Sequence, residues 1–89
     1  MFYVYILLSQ KDNKLYVGQT DNIGRRLEEH NMGKINSTKY RRPLIILHKE
    51  NYSTRTLAMR REKFLKSLYG ARFKQKVLKN YLNKKEALN

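Results

Sequence analysis

Eighty-nine residues without one cysteine make a single small domain and exclude both disulfide staples and thiolate metal sites. Twenty Lys and Arg stand against seven Asp and Glu, a formal charge of +13, and so much positive charge on so small a body points to a polyanionic partner, nucleic acid above all. The apolar start, Met1 to Leu8, lacks a basic leader and a small-residue cleavage site and is too short to span a bilayer, which argues for a first strand; the absence of cysteine suits the cytoplasm, and apolar stripes sized for a core argue against a membrane role.

Residues 2–8 and 14–18 are rich in β-branched and aromatic side chains and flank the polar turn Gln10-Lys11-Asp12-Asn13-Lys14, so they predict an antiparallel hairpin. Thr20, Asp21 and Asn22 offer caps for a helix over about 22–31, with Gly33 just beyond its end. Ile23, Leu27 and His30 share one face of that helix. Arg26 borders this stripe and looks inward, whereas Arg25 points almost opposite.

Residues 33–42 are polar and basic and read as a loop. After Pro43, the run Leu44-Ile45-Ile46-Leu47-His48 is expected to form a strand buried on both faces. Ser53-Thr54 cap a second helix over about 54–68, with a core stripe of Leu57, Phe64, Leu65 and Leu68, and with Glu62 on its flank beside Ala58. A third helix, about 71–83, is expected to turn Phe73, Val77, Leu78, Tyr81 and Leu82 inward and Lys74, Lys76, Lys79 and Lys84 outward. The order β-β-α-β-α-α predicts an α/β protein of the α+β type: a three-stranded antiparallel sheet flanked by helices, one domain over 1–89.

The residues so assembled resemble the GIY-YIG nuclease family. Tyr3-Val4-Tyr5 is similar to its first motif and Tyr16-Val17-Gly18 to its second. The run from Tyr16 to Asn31 follows the family's strand-to-helix segment almost throughout. Thr38, Arg41-Arg42-Pro43, and Ala58 with Arg61-Glu62 extend the likeness over about residues 2–67, with the C-terminal basic helix beyond. In size the chain resembles the small stand-alone bacterial members. One departure stands in the first motif, where Tyr3 occupies a place the family usually gives to glycine.

The resemblance implies a metal-dependent endonuclease that hydrolyses DNA phosphodiester bonds, in structured or damaged DNA during repair or recombination. It assigns catalysis to Tyr5, Tyr16, Arg26, His30 and Glu62, and a single Mg²⁺ or Mn²⁺ to Glu62. One carboxylate suffices for Mg²⁺, which keeps most of its waters. Arg26 is expected to hold phosphate oxygens. Tyr5 or Tyr16 is expected to take a proton from the attacking water, which requires a pKa lowered from ~10, with His30 sharing that proton.

Among the remaining acids only Glu50 is placed to be a second carboxylate. Lys39, Arg41, Arg42, Arg60 and Lys63, with Lys74 and Lys79, are candidates for phosphate contacts without sequence readout. Tyr40 and Tyr69 are candidates for stacking on bases. No small-molecule cofactor is expected, and targeting would need a protein partner or a substrate of unusual shape. Ordinary roles compete: strand tyrosines pack, His30 can be a hydrogen-bonded core residue, Arg26 can pair with Glu29, and Glu62 with Arg61, Lys63 or Lys66. A module on the same scaffold that binds nucleic acid and cuts slowly or not at all is the alternative.

Overall fold

A computed structural model describes residues 1–87. The elements run β1 (Phe2–Ser9), β2 (Leu15–Thr20), α1 (Ile23–Asn31), β3 (Leu44–Tyr52), α2 (Arg55–Lys66), a 3₁₀ turn (Leu68–Gly70) and α3 (Ala71–Ala87). The three strands form one antiparallel sheet in the order β2-β1-β3. The expected α+β architecture is therefore the observed one. The differences lie in which faces are buried.

The β1–β2 turn is held by its own side chains. Ser9 Oγ accepts the backbone N–H groups of Lys11 and Asp12, while Asp12 Oδ1 accepts that of Lys14 at 2.9 Å. Asn13 takes the left-handed conformation (φ 61°) that asparagine tolerates better than most residues. The Ser9 hydroxyl also donates to the Arg41 carbonyl at 2.6 Å, tying the hairpin to the loop that follows α1.

β1 is the central strand and buries both faces. Val4 and Ile6 pack under Ala58 and Leu65 of α2, with Val17, Phe73 and Val77 around them. Tyr5 and Leu7 face the other way and pack with Leu44, Tyr16, Ile23, Leu27 and Ile46, beneath α1. The strand buried on both faces is thus β1, and β3 is an edge strand of which only Leu44 is fully buried. An apolar run cannot reveal its own position in a sheet, since edge and centre differ in neighbours and not in composition.

The caps follow the sequence closely. Asn22 accepts the Arg25 N–H and Thr54 the Leu57 N–H. α1 ends in a Schellman arrangement, with Lys34 N–H on the Glu29 carbonyl, Gly33 N–H on that of His30, and Gly33 at φ +78°. Asn31 bridges outward from this end: its amide donates to the Leu44 carbonyl at 3.0 Å and accepts the Leu44 N–H at 2.8 Å. The start of β3 is thereby fixed against α1.

Two helical faces depart from expectation. In α2 the inward residues are Ala58 and Leu65, whereas Leu57 and Phe64 are largely exposed and Leu68 is 93% exposed. Leu68 lies past the end of α2, in the 3₁₀ turn, where the helical phase no longer applies. In α3, Leu82 is exposed and Lys74 is half-buried against the sheet side instead of pointing outward.

Candidate active site

Tyr5 is the hub of the site. Its hydroxyl lies 3.0 Å from His30 Nε2, and the Arg26 Nε–H donates to it at 3.4 Å. His30 Nδ1 in turn lies 2.7 Å from Thr38 Oγ1. With the imidazole proton assigned to Nδ1, every donor finds an acceptor along the chain from Arg26 to Tyr5, His30 and Thr38. The Tyr5 and His30 rings also meet edge to face, with centroids 5.9 Å apart.

The arrangement follows from local structure. Tyr5 comes from the central strand, where it is 3% exposed. Arg26 and His30 stand one helical turn apart on the inner side of α1, which brings both over Tyr5. Arg25, next in the chain, turns outward to Asp21 at 3.1 Å. Gly18 completes the pocket: it pairs with Tyr5 across the strands, and a methyl group there would fall on the Tyr5 hydroxyl and ring. The second motif needs its glycine because the phenol lies across that backbone.

Burial raises the Tyr5 pKa above its usual value, and Arg26 only partly offsets this. His30 moves down, first through burial and then through the neighbouring Arg26 charge. The Tyr5 shift is opposite to the lowering that a pre-ionised base would need. The two shifts, Tyr5 upward and His30 downward, both favour the neutral forms of the pair at pH 7.

Tyr16 lies on the same sheet face and lines, with Tyr5, His30, Thr38, Lys66 and Lys74, an open groove of about 270 Å³. Glu62, on α2, is not hydrogen-bonded to the other four. Its carboxylate pairs with Lys66 at 3.4 Å, and its charge is felt at the Tyr5 hydroxyl. Glu50 is otherwise engaged: it takes a two-pronged bond from Arg61 at 2.8 and 3.0 Å and further bonds from His48 and Tyr52. Among the described residues no three His, Cys, Asp or Glu side chains converge on a cation position. A single carboxylate beside open solvent suits a hydrated Mg²⁺ or Mn²⁺ and not a fully protein-ligated ion.

The basic candidates divide into two groups. Lys39, Arg41 and Arg42 follow Thr38 on the loop beside the site. There Lys39 sits over the Tyr40 ring, Arg41 pairs with Asp12 at 3.3 Å, and Arg42 Nε donates to the Lys39 carbonyl at 2.8 Å. Arg60 and Lys63 are exposed on α2; Arg60 is roughly 160° around the helix from Glu62 and looks away from the groove. Sequence reasoning passed over Lys66 as a groove residue, although its place four residues after Glu62 puts the two on one face. Thr38 belongs to the motif pattern, and its bond to His30 gives it a physical role.

Comparisons with known proteins bear on the family and the fold. Residues 1–76 match the GIY-YIG catalytic domain. The chain is 46% identical over 66 residues to the UPF0213 protein SH2523 of Staphylococcus haemolyticus, covering 73% of this chain and 79% of that one. It is 41% identical over 71 residues to the UPF0213 protein NP_0776A of Natronomonas pharaonis, covering 79% and 82%. The solution structure of the UPF0213 protein BH0048 from Bacillus halodurans shares the fold at a TM-score of 0.53 and 33% identity, covering 89% of this chain and 84% of that one. With the paired tyrosine motifs, the matched domain and these relatives in agreement, the chain belongs to the GIY-YIG family of the nuclease superfamily, among the small UPF0213 proteins of bacteria and archaea.

Proposed function

We propose that this protein is a metal-dependent endonuclease that hydrolyses phosphodiester bonds in DNA, with structured or damaged DNA as its substrate in repair or recombination. The observation that supports this best is the relay from Arg26 through Tyr5 and His30 to Thr38, opening on a lysine-lined groove.

In this reading the attacking water gives its proton to the Tyr5 oxygen as the phenol passes its own proton to His30 Nε2. Concerted transfer avoids a free phenolate, which burial disfavours. The imidazolium that forms keeps its Nδ1–H bond to Thr38. Arg26 reaches Tyr5 through Nε, so its remaining N–H groups can take the phosphate oxygens as charge builds on them. Tyr16, on the same groove wall, orients the water or phosphate by its hydroxyl. A Mg²⁺ or Mn²⁺ held by Glu62 supplies, when bound, positive charge for the leaving oxygen. Lys66 must yield that carboxylate as the cation arrives. The protein would act in the cytoplasm without a small-molecule cofactor, and a protein partner would direct it to its substrate.

Cleavage of branched, flapped, single-stranded and plain duplex DNA with Mg²⁺ or Mn²⁺ tests the proposal, run beside Tyr5→Phe, Arg26→Ala and Glu62→Ala. Each variant should lose on the order of 10²–10³ in rate while DNA binding is largely kept. One observation favours a second reading, a binding module without cleavage: the Lys66–Glu62 pair already neutralises the one candidate metal ligand. Wild type that binds these DNAs in a salt-dependent way and cuts none of them would establish that reading and end the first.

A further inference from the structure

Beyond the catalytic groove, the junction of α2 and α3 forms a second open groove of about 730 Å³. Its floor is aromatic, with Phe64, Tyr69 and Phe73, and its rim is cationic, with Arg72, Lys76 and Lys79. Tyr69 is 83% exposed, and Leu68 beside it 93%. The proposed hydrolysis uses none of these residues. Exposed aromatic surface of this kind marks a binding site more often than a packing failure. Here the turn that exposes it is fixed: Gly70 packs against the Phe64 carbonyl and Leu65 Cα so closely that no side chain would fit.

We infer that this groove holds an unpaired stretch of the DNA, with Tyr69 stacking on a base and Arg72, Lys76 and Lys79 meeting its phosphates. The inference rests on the nuclease reading and narrows its substrate to DNA with a single-stranded arm. An 83% exposed aromatic ring in a groove lined by three cationic and no acidic side chains suits bases and phosphates together. A duplex keeps its bases stacked on each other and offers no free face. Continuity supplies the connection to the site. Lys74 lines both the catalytic groove and a middle groove of about 370 Å³ that also contains Lys14 and Gln75, and Gln75 lines the aromatic groove in turn. A strand leaving Tyr5 and Tyr16 can therefore cross α3 over Lys74 and Gln75 and end beside Tyr69.

Fluorescence anisotropy with a labelled oligothymidylate and with a duplex of equal length, in EDTA so that nothing is cut, tests this. Tyr69→Ala should weaken single-strand binding roughly 5- to 150-fold and leave duplex binding unchanged. Tyr69→Phe should retain wild-type affinity, because stacking needs the ring and not the hydroxyl. The double variant Arg72→Gln/Lys76→Gln should reduce the slope of log affinity against log salt for the single strand by about 1.4. Unchanged single-strand affinity in Tyr69→Ala overturns the assignment, as does an equal loss for both DNAs; either would turn attention to a protein as the groove's occupant. Since this assay needs no cleavage, its failure and the failure of the nuclease reading are separable.

Discussion

Tyr5 shows how one residue is made dependent on another through the backbone. Its ring lies over Gly18, so the second motif's glycine positions the first motif's phenol. Gly18→Ala must displace that phenol from His30 and Arg26, because the added methyl and the hydroxyl would occupy the same place. The expected result is a protein destabilised by about 1–3 kcal/mol whose cleavage falls as far as that of Tyr5→Phe. Denaturant unfolding read beside a cleavage assay checks it; an alanine variant with wild-type activity would refute the packing argument.

His30 yields a second test at this scale. Burial and Arg26 depress its pKa, so between that value and the unfolded ~6.5 the unfolded chain binds more protons than the folded one. The His30 contribution to stability is therefore fully present above about pH 6.5 and is lost as pH falls through the folded value. Tyr5 is shifted the other way, so its contribution declines as pH rises beyond ~10. An NMR titration should place His30 below 6.5 in wild type and move it upward in Arg26→Gln. A His30 that titrates above 6.5 would mean that the imidazole is not held neutral by this environment.

Among the elements, the contact between β3 and α2 decides how the second carboxylate-bearing helix is turned. Arg61 reaches down to Glu50 with two hydrogen bonds, and His48 and Tyr52 join the same carboxylate. Burial alone would raise the Glu50 pKa, but these partners, Arg61 foremost, bring it down from 4.5 to about 2. The stabilisation is present above about pH 4.5 and is lost as pH falls toward 2. Arg61→Gln should cost on the order of 2 kcal/mol at neutral pH and remove most of the acid sensitivity in that window. Urea unfolding at pH 7 and pH 3 measures both; equal losses at the two pH values would show that Arg61 acts by packing alone.

The same contact explains what was legible in the sequence and what was not. The strands, caps and helix order were readable because each rests on local signals: the Asn13 turn, the Asn22 and Thr54 caps, the Gly33 terminator. The inner face of α2 was misjudged because its phase is set from outside the helix. Arg61, beside the inward line of Ala58 and Leu65, finds its partner Glu50 on β3, whereas Glu62 pairs within α2 with Lys66, and Leu57 and Phe64 are left toward solvent. Hydrophobic counting gives a stripe of Leu57, Phe64, Leu65 and Leu68, of which Leu65 alone is buried, because counting takes no account of Glu50 opposite. The site residues were legible as a motif, but the direction of the Tyr5 pKa was not, since it depends on how deeply the phenol is buried and pattern alone does not give depth.

Across the whole molecule, +13 guarantees attraction to a polyanion but leaves open which lysines do the holding. The structure separates two sets. Lys14, Lys66 and Lys74 line the grooves that run from Tyr5 and Tyr16 across the start of α3, whereas Arg60 and Lys63 stand on the exposed side of α2. If the DNA backbone follows the grooves, the first set releases counterions on binding and the second does not. Each neutralised phosphate contributes about 0.7–0.9 to the slope of log affinity against log salt. Replacing Lys14, Lys66 and Lys74 together by Gln should lower that slope by about 2–3, while Arg60→Gln/Lys63→Gln, a loss of two charges, should change it by much less than one. Lys66→Gln also frees Glu62 from its ion pair, so the triple variant should bind Mg²⁺ more tightly even as it binds DNA more weakly. Salt titrations of binding in EDTA and metal titrations followed by NMR supply the two readings. If the α2 pair lowers the slope as much as the groove lysines do per charge removed, the positive charge works as a diffuse cloud and the grooves are not the path of the strand.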